Sequence, residues 1–346
     1  MTSLAAAPPE RRLPRWLTRH ETMLAAVLIV ALAILGAYND RFLTLDNLLN
    51  QGRLMAEVGL IAMPMTFVII TGGIDLSVGS VVGLCAIAIG YSWKNLGVPL
   101  PAAIMIALAL GALAGFVNGL FITRVKVPPL IMTIASLALY RGFAEGVSKG
   151  HSVRGYPEWF FFMGQGEWLG APTQLWLLGV AIVIAGVALD RTTFGRSLYA
   201  IGLNKEAASH AGIRVPRVKM GLFILSGVVC ALVGMLYAFE LSSVGENIGI
   251  GFELMVITVV LLGGVSIFGR RGTIIGVVLA AFVYGGLRSA LLISSSFNEN
   301  DFQIVSGGLL VLSVLVPNAA AFTRRGSEML GRRRAQGRIA AGAGDD

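Results

Sequence analysis

Ten stretches of 17 to 25 mostly apolar residues run through this 346-residue chain, at 22–38, 54–71, 76–93, 99–123, 129–147, 173–190, 217–240, 251–268, 272–293 and 301–317. A helix rises about 1.5 Å per residue and a bilayer's hydrocarbon core is about 30 Å thick, so runs of about 20 residues match single crossings. A segment in lipid must satisfy its own backbone polar groups, which makes helices the solution for runs of this length. Composition agrees: 55% of residues are apolar, 13% are charged and the mean hydropathy is +0.78, against about 45–50% apolar and about 25% charged in soluble domains. The sequence predicts an all-α, polytopic membrane protein of about ten transmembrane helices and excludes a water-soluble globular domain. Turn chemistry bounds several runs, at Gly72-Gly73, Pro99, Pro128-Pro129, Gly269 and Pro317.

Charge orients the spans. With the N-terminus inside, the inner segments carry 20 Lys and Arg and the outer ones 5, namely Arg41, Arg53, Lys94, Lys149 and Arg154, while Arg141 and Arg288 fall within spans. Cytoplasmic loops hold the excess of positive charge, so both termini are expected in the cytoplasm. A span missed or invented in the first half would swap the later loops and erase that split. The organisation expected is a cytoplasmic tail at 1–21, a transmembrane domain at 22–320 with a long inner loop at 190–217, and an Arg- and Gly-rich tail at 321–346, disordered on the anionic inner leaflet. Arg11, Arg12, Arg15 and Arg19 precede the first run, which is too long for a signal-peptide core and reads as an uncleaved span. The formal charge of +8 then faces anionic lipid, and nucleic acid is not an expected partner.

Cys85 and Cys230 lie in apolar runs without C-x-x-C spacing, and His20, His151 and His210 lie in polar segments. Neither a disulfide framework nor a metal site is predicted, and no catalytic residue is assigned. The string Thr71-Gly-Gly-Ile-Asp-Leu-Ser-Val-Gly-Ser80 is the most unusual, placing a carboxylate and hydroxyls between two spans with almost no loop. Asp75 is either the N-cap of a helix beginning near Leu76, or part of a broken helix lining a translocation path with Ser77 and Asn118. Gly263-Gly264 echoes Gly72-Gly73 and hints at an internal repeat. Arg141 needs a partner and Glu145, four residues on, is the expected one. Glu57, Glu240 and Glu253 are expected near the outer boundary, with Arg288 reaching outward. The outer segment 148–172 carries Tyr156, Trp159, Phe160, Phe161, Phe162 and Trp168, which suits an interfacial anchor or a platform for an external protein. In the 190–217 loop, Asn204, Glu206 and Ala207-Ala208 suit a short helix closed by Gly212.

Four strings carry a resemblance: GGIDLSVGS, VNGLFITRVKVPPLIMTIASLALYRG, TFGRSLYAIGLNKEAASHAGI and LLGGVSIFGRRGTIIG. In this order, over roughly residues 22 to 320, they resemble the permease subunits of bacterial ribose-type monosaccharide ABC importers, in span and loop arrangement closest to the rhamnose or autoinducer-2 type. The resemblance implies a multi-pass subunit of the bacterial inner (plasma) membrane. Two permease subunits would form the path, a periplasmic binding protein would deliver the sugar, and cytoplasmic ATPase subunits would power import. Gly195, Arg196, Gly202, Asn204, Ala207, Ala208 and Gly212 look like the segment that couples to the ATPase. The chain has no G-x-x-x-x-G-K-[ST], so no cofactor is expected in it and ATP would belong to the partner. The alternative is a secondary transporter of a small polar solute driven by an ion gradient, for which only Asp75 is a plausible intramembrane carboxylate.

Overall fold

The computed structural model describes residues 20–38, 42–241, 243–245, 247–293, 298 and 301–315. The helices are α1 His20–Tyr38, α2 Leu45–Ile70, α3 Val78–Lys94, α4 Leu100–Leu120, α5 Pro129–Ser148, α6 Glu158–Gln165, α7 Thr173–Arg191, α8 Thr193–Leu203, α9 Lys205–His210, α10 Val215–Leu241, α11 Phe252–Leu262, α12 Ile274–Ile293 and α13 Asp301–Leu315. One π turn, Phe121–Val125, prolongs α4. Strand is confined to two antiparallel pairs of two residues each: β1 Val153–Arg154 on β4 Ser243–Val244, and β2 Glu167–Trp168 on β3 Ala171–Pro172. The tails before His20 and after Leu315 lie outside the described residues.

Apolar helices occupy all ten predicted places among the described residues, but only seven are long and apolar enough to cross a bilayer: α1, α2, α4 with its π turn, α5, α7, α10 and α12. The other three, α3, α11 and α13, are shorter. For two of them the cause is visible. Turned, non-helical backbone at 71–77 delays the start of α3 to Val78, and the turn at Gly263–Gly264 ends α11 at Leu262 after 11 residues. Hydropathy alone does not reveal where a run leaves the helix, so the run at 251–268 reads as an uninterrupted span in the sequence, whereas the break at Gly72-Gly73 is visible there.

The centre of the bundle is α2, α3 and α10. Every residue of α2 from Met55 to Ile70 is buried, and so are Cys85 and Cys230, which therefore act as packing residues. Peripheral α5 and α7 turn apolar side chains outward, among them Ile131, Ile134, Phe143, Val183 and Ile184. Lipid tails are as apolar as leucine, so helices in a membrane associate through close fit. Gly111 and Gly115 of α4 face Gly227 of α10 so closely that a Cβ at Gly111 would run into the Gly227 carbonyl, and one at Gly227 into the Gly111 carbonyl. Gly227→Leu should therefore cost about 1–3 kcal/mol, the range for overpacking, read as a lower melting temperature in detergent. Gly142→Leu on α5, where a Cβ would meet nothing within 4 Å, should leave the melting temperature near wild type.

Candidate functional site

The break between α2 and α3 satisfies its own backbone. Gly72 takes a left-handed conformation (φ 74°), its N–H donating to Ile69 O at 2.9 Å and that of Gly73 to Val68 O at 3.0 Å, which closes α2 as a Schellman cap. The far end of α11 repeats this: Gly264 has φ 84°, its N–H donates to Leu261 O and that of Val265 to Val260 O. Structurally Gly72 therefore matches Gly264, one residue away from the Gly-Gly alignment that the sequence offers. The loop that follows this second cap returns to the first, the Arg270 N–H donating to Ile70 O at 3.2 Å.

Beyond the cap the chain carries Asp75 into the bundle. The helix begins at Val78 with Ser77 at its N-cap, two residues later than the simplest capping reading requires. Asp75 Oδ1 accepts from Ser77 N (3.0 Å) and Ser77 Oγ (2.6 Å), while Oδ2 accepts from Ser226 Oγ of α10 (2.9 Å). Asn118 of α4 donates from Nδ2 to Ser77 Oγ at 2.9 Å, and the Tyr140 hydroxyl of α5 reaches Asn118 Oδ1 at 3.3 Å and Ala114 O at 3.0 Å. Thr133 of α5 donates to Ile74 O at 3.2 Å, and Ser80 Oγ and Val81 N–H both donate to Ser77 O. Asp75, Ser77 and Asn118 thus meet in one network, each at most 3% exposed. It joins the break to α4, α5 and α10. Ser226, Tyr140 and Thr133 are members that the sequence reading did not single out. Their signal was only that a polar group inside an apolar run needs a partner.

The other buried charges sit differently from expectation. Arg141 Nη1 donates to Ile248 O at 2.9 Å, and its charge faces Glu253 ahead of Glu145. Glu253 and the Ile248 carbonyl thus join Glu145 around this guanidinium. Glu253 packs against Gly79 in the first turn of α3, where a Cβ would also strike the Gly249 carbonyl. It thus lies at the start of α3, far along that helix from Lys94. Glu57 is 1% exposed, meeting Glu240 and Tyr237 with Arg288 in electrostatic reach. In the 148–172 segment, Tyr156 and Phe160 are buried, stacked with each other at 4.6 Å, and Tyr156 stacks on Trp93 at 4.9 Å; Trp159, Phe162 and Trp168 are exposed.

The 190–217 loop folds into two helices, of which α8 was not foreseen. Gly195 N–H donates to Thr192 Oγ1 at 3.3 Å, and a Cβ there would hit the Leu189 carbonyl, so this glycine permits the tight corner from α7. Asn204 caps α9, its Oδ1 accepting from Glu206 N (2.9 Å) and Ala207 N (3.0 Å). Gly212 (φ 85°) terminates it, with Ile213 N–H donating to Ala208 O at 3.1 Å. Gly202 has another role: it lies within α8 and abuts Ile70 O and the Arg270 N–H, leaving no room for a Cβ. Ala208 is buried, whereas Arg196 and Ala207 are exposed. The Tyr199 hydroxyl donates to Gly272 O at 2.7 Å, and burial, then the charge of Asp190, pushes its phenol above the ordinary tyrosine range.

A family model described as the permease component of a branched-chain amino acid transport system matches residues 47–314. The chain belongs to this permease family. The matched span contains all four strings that carried the resemblance. The autoinducer 2 import system permease protein LsrD of Escherichia coli (strain K12) is 34% identical over 319 residues, covering 90% of this chain and 96% of that protein. LsrD of Shigella flexneri matches with the same identity and coverage. No solved structure matches the chain. With its seven long apolar helices, this family member is a multi-pass protein of the bacterial inner membrane, and its relatives are transport permeases rather than enzymes.

The Asp75 network yields a graded prediction. Asparagine keeps an oxygen for the two Ser77 donors and can donate to Ser226 Oγ, so Asp75→Asn should leave abundance and transport near wild type. Asp75→Ala strands three buried donors, at about 1–3 kcal/mol for a group left unsatisfied, and should reduce both in parallel. An abundant, well-inserted Asp75→Asn protein without transport would instead give the carboxylate charge a direct part in the path.

Proposed function

We propose that this permease is the membrane-spanning subunit of an ABC importer for a monosaccharide or a related small sugar such as autoinducer 2. A periplasmic binding protein delivers the solute, a second permease subunit completes the path, and a separate ATPase docks on the α8–α9 face. The observation that carries this reading is the match to autoinducer 2 import permeases over 90% of the chain, coupled with a compact, capped helix pair at the inner ends of α2 and α7. The topology that goes with it has ten spans, with α11 and the irregular segment before it sharing one crossing, and both termini in the cytoplasm. Gly195, Arg196, Gly202, Asn204, Ala207, Ala208 and Gly212 shape or present the docking face. Asp75, Ser77 and Asn118 support the path from within one protomer, as a network that fixes the broken helix beside it.

Two measurements test this reading. In intact spheroplasts an impermeant thiol reagent should label Ser152→Cys and spare Ser209→Cys; the buried Cys85 and Cys230 give little background. In proteoliposomes loaded with ATP, uptake from a panel of labelled pentoses, deoxyhexoses and autoinducer 2 should need both the ATPase and the binding protein and should survive a protonophore. Uptake that ignores ATP and collapses with the protonophore would replace the importer by a secondary transporter.

A further inference from the structure

The segment between α11 and α12, residues 263–273, is the last inner loop of the proposed topology, and it is fixed from several sides. Ser266 N–H donates to Arg271 O at 3.0 Å and Gly269 N–H to Ser266 O at 2.9 Å, closing the loop on itself. Tyr199 of α8 donates to Gly272 O, Arg270 N–H to Ile70 O, and Thr273 Oγ1 to Glu21 Oε1 of α1 at 3.1 Å. His20 of α1 lies 2.8 Å from Leu262 O where the loop begins. A loop held this firmly nevertheless presents Phe268 at 70% exposure. Beside it a Cβ at Gly269 would lie 3.5 Å from Gly202 Cα, and the next residue of α8, Leu203, is 59% exposed. Apolar exposure therefore continues across the Gly202–Gly269 contact onto the α8–α9 face. Arg270 and Arg271 are exposed at its rim, and Arg270 holds a left-handed backbone (φ 81°) that side chains rarely adopt.

We propose that this loop is the second half of the ATPase docking surface, with Phe268 and Leu203 as its apolar anchor and Arg270 and Arg271 as a basic rim that meets acidic groups on the ATPase. The proposal rests on the coupling role given above to α8–α9 and extends it to a part of the chain far away in sequence. An aromatic anchor inside a charged rim is the usual make-up of an interface hot spot. The continuity with the α8–α9 face favours a protein over the inner leaflet as occupant. Its consequence is mechanical: an ATPase seated on both pieces would bear at once on the α2 cap and on the α11–α12 loop, which touch through Arg270 N–H and Ile70 O.

A photo-crosslinking residue placed at Phe268, and separately at Ala207 of α9, tests this in membranes that contain the complete transporter. An azido-ATP photolabel identifies the ATPase in any adduct. Both positions are expected to give ATP-labelled adducts. An Ala207 adduct with the ATPase, together with Phe268 adducts on phospholipid alone, would overturn the bipartite surface and leave the importer reading intact. Failure at both positions would overturn the two together. As an independent check, Phe268→Asp should lower the ATPase that co-purifies with the permease about tenfold, the scale of an aromatic anchor, whereas Phe268→Trp should retain it. Unchanged co-purification of the aspartate variant at normal permease abundance would also contradict the proposal.

Discussion

In lipid no water is available to hydrogen-bond a peptide group, so a chain that leaves the helix inside a membrane protein must be satisfied by its own neighbours. The stretch from Thr71 to Ser77 meets that constraint group by group: Gly72 and Gly73 cap α2, Thr133 covers Ile74 O, Asp75 takes the Ser77 amide, and Arg270 N–H covers Ile70 O. Asp75 is the pivot because a carboxylate accepts several hydrogen bonds at once and here draws donors from both the break and α10. Remove it, and the break loses its tie to α10 and Ser77 loses its orientation toward Asn118.

That break adjoins α8 directly. Gly202 of α8 rests on Ile70 O, the last carbonyl of α2 before the turn, and five residues further on stands Asp75. On the proposed reading, force applied to α8 by an ATPase reaches a rigid cap, then irregular backbone, then a hydrogen-bonded node shared by four helices. Interfaces of this kind have discrete arrangements rather than continuous ones. The α2 cap and the α11–α12 loop meet under Gly202, which places the two turn regions on one fulcrum.

Much of this was legible in the sequence, for identifiable reasons. The apolar runs located the helices because lipid selects composition over a fixed length, and Asp75, Ser77 and Asn118 stood out as polar groups in apolar surroundings. Ser226, 151 residues from Asp75, was hidden because a lone serine in a long helix carries no sign of its partner. The partners of Arg141 were hidden for a similar reason: i, i+4 spacing exposes Glu145, whereas the Ile248 carbonyl and Glu253 arrive through a segment whose irregular backbone the hydropathy does not reveal. In the sequence Gly202 is one residue of the loop string that carries the resemblance. The structure makes it a contact, a distinction that needs the position of Ile70.

The central claim, that Asp75 ties the break to α10, is tested most directly by a double-mutant cycle on Asp75→Ala and Ser226→Ala, with unfolding free energies measured in bicelles. The account predicts a coupling energy of about 1–2 kcal/mol, the upper range for hydrogen bonds between membrane helices. Additive effects of the two substitutions, with no coupling, would contradict it.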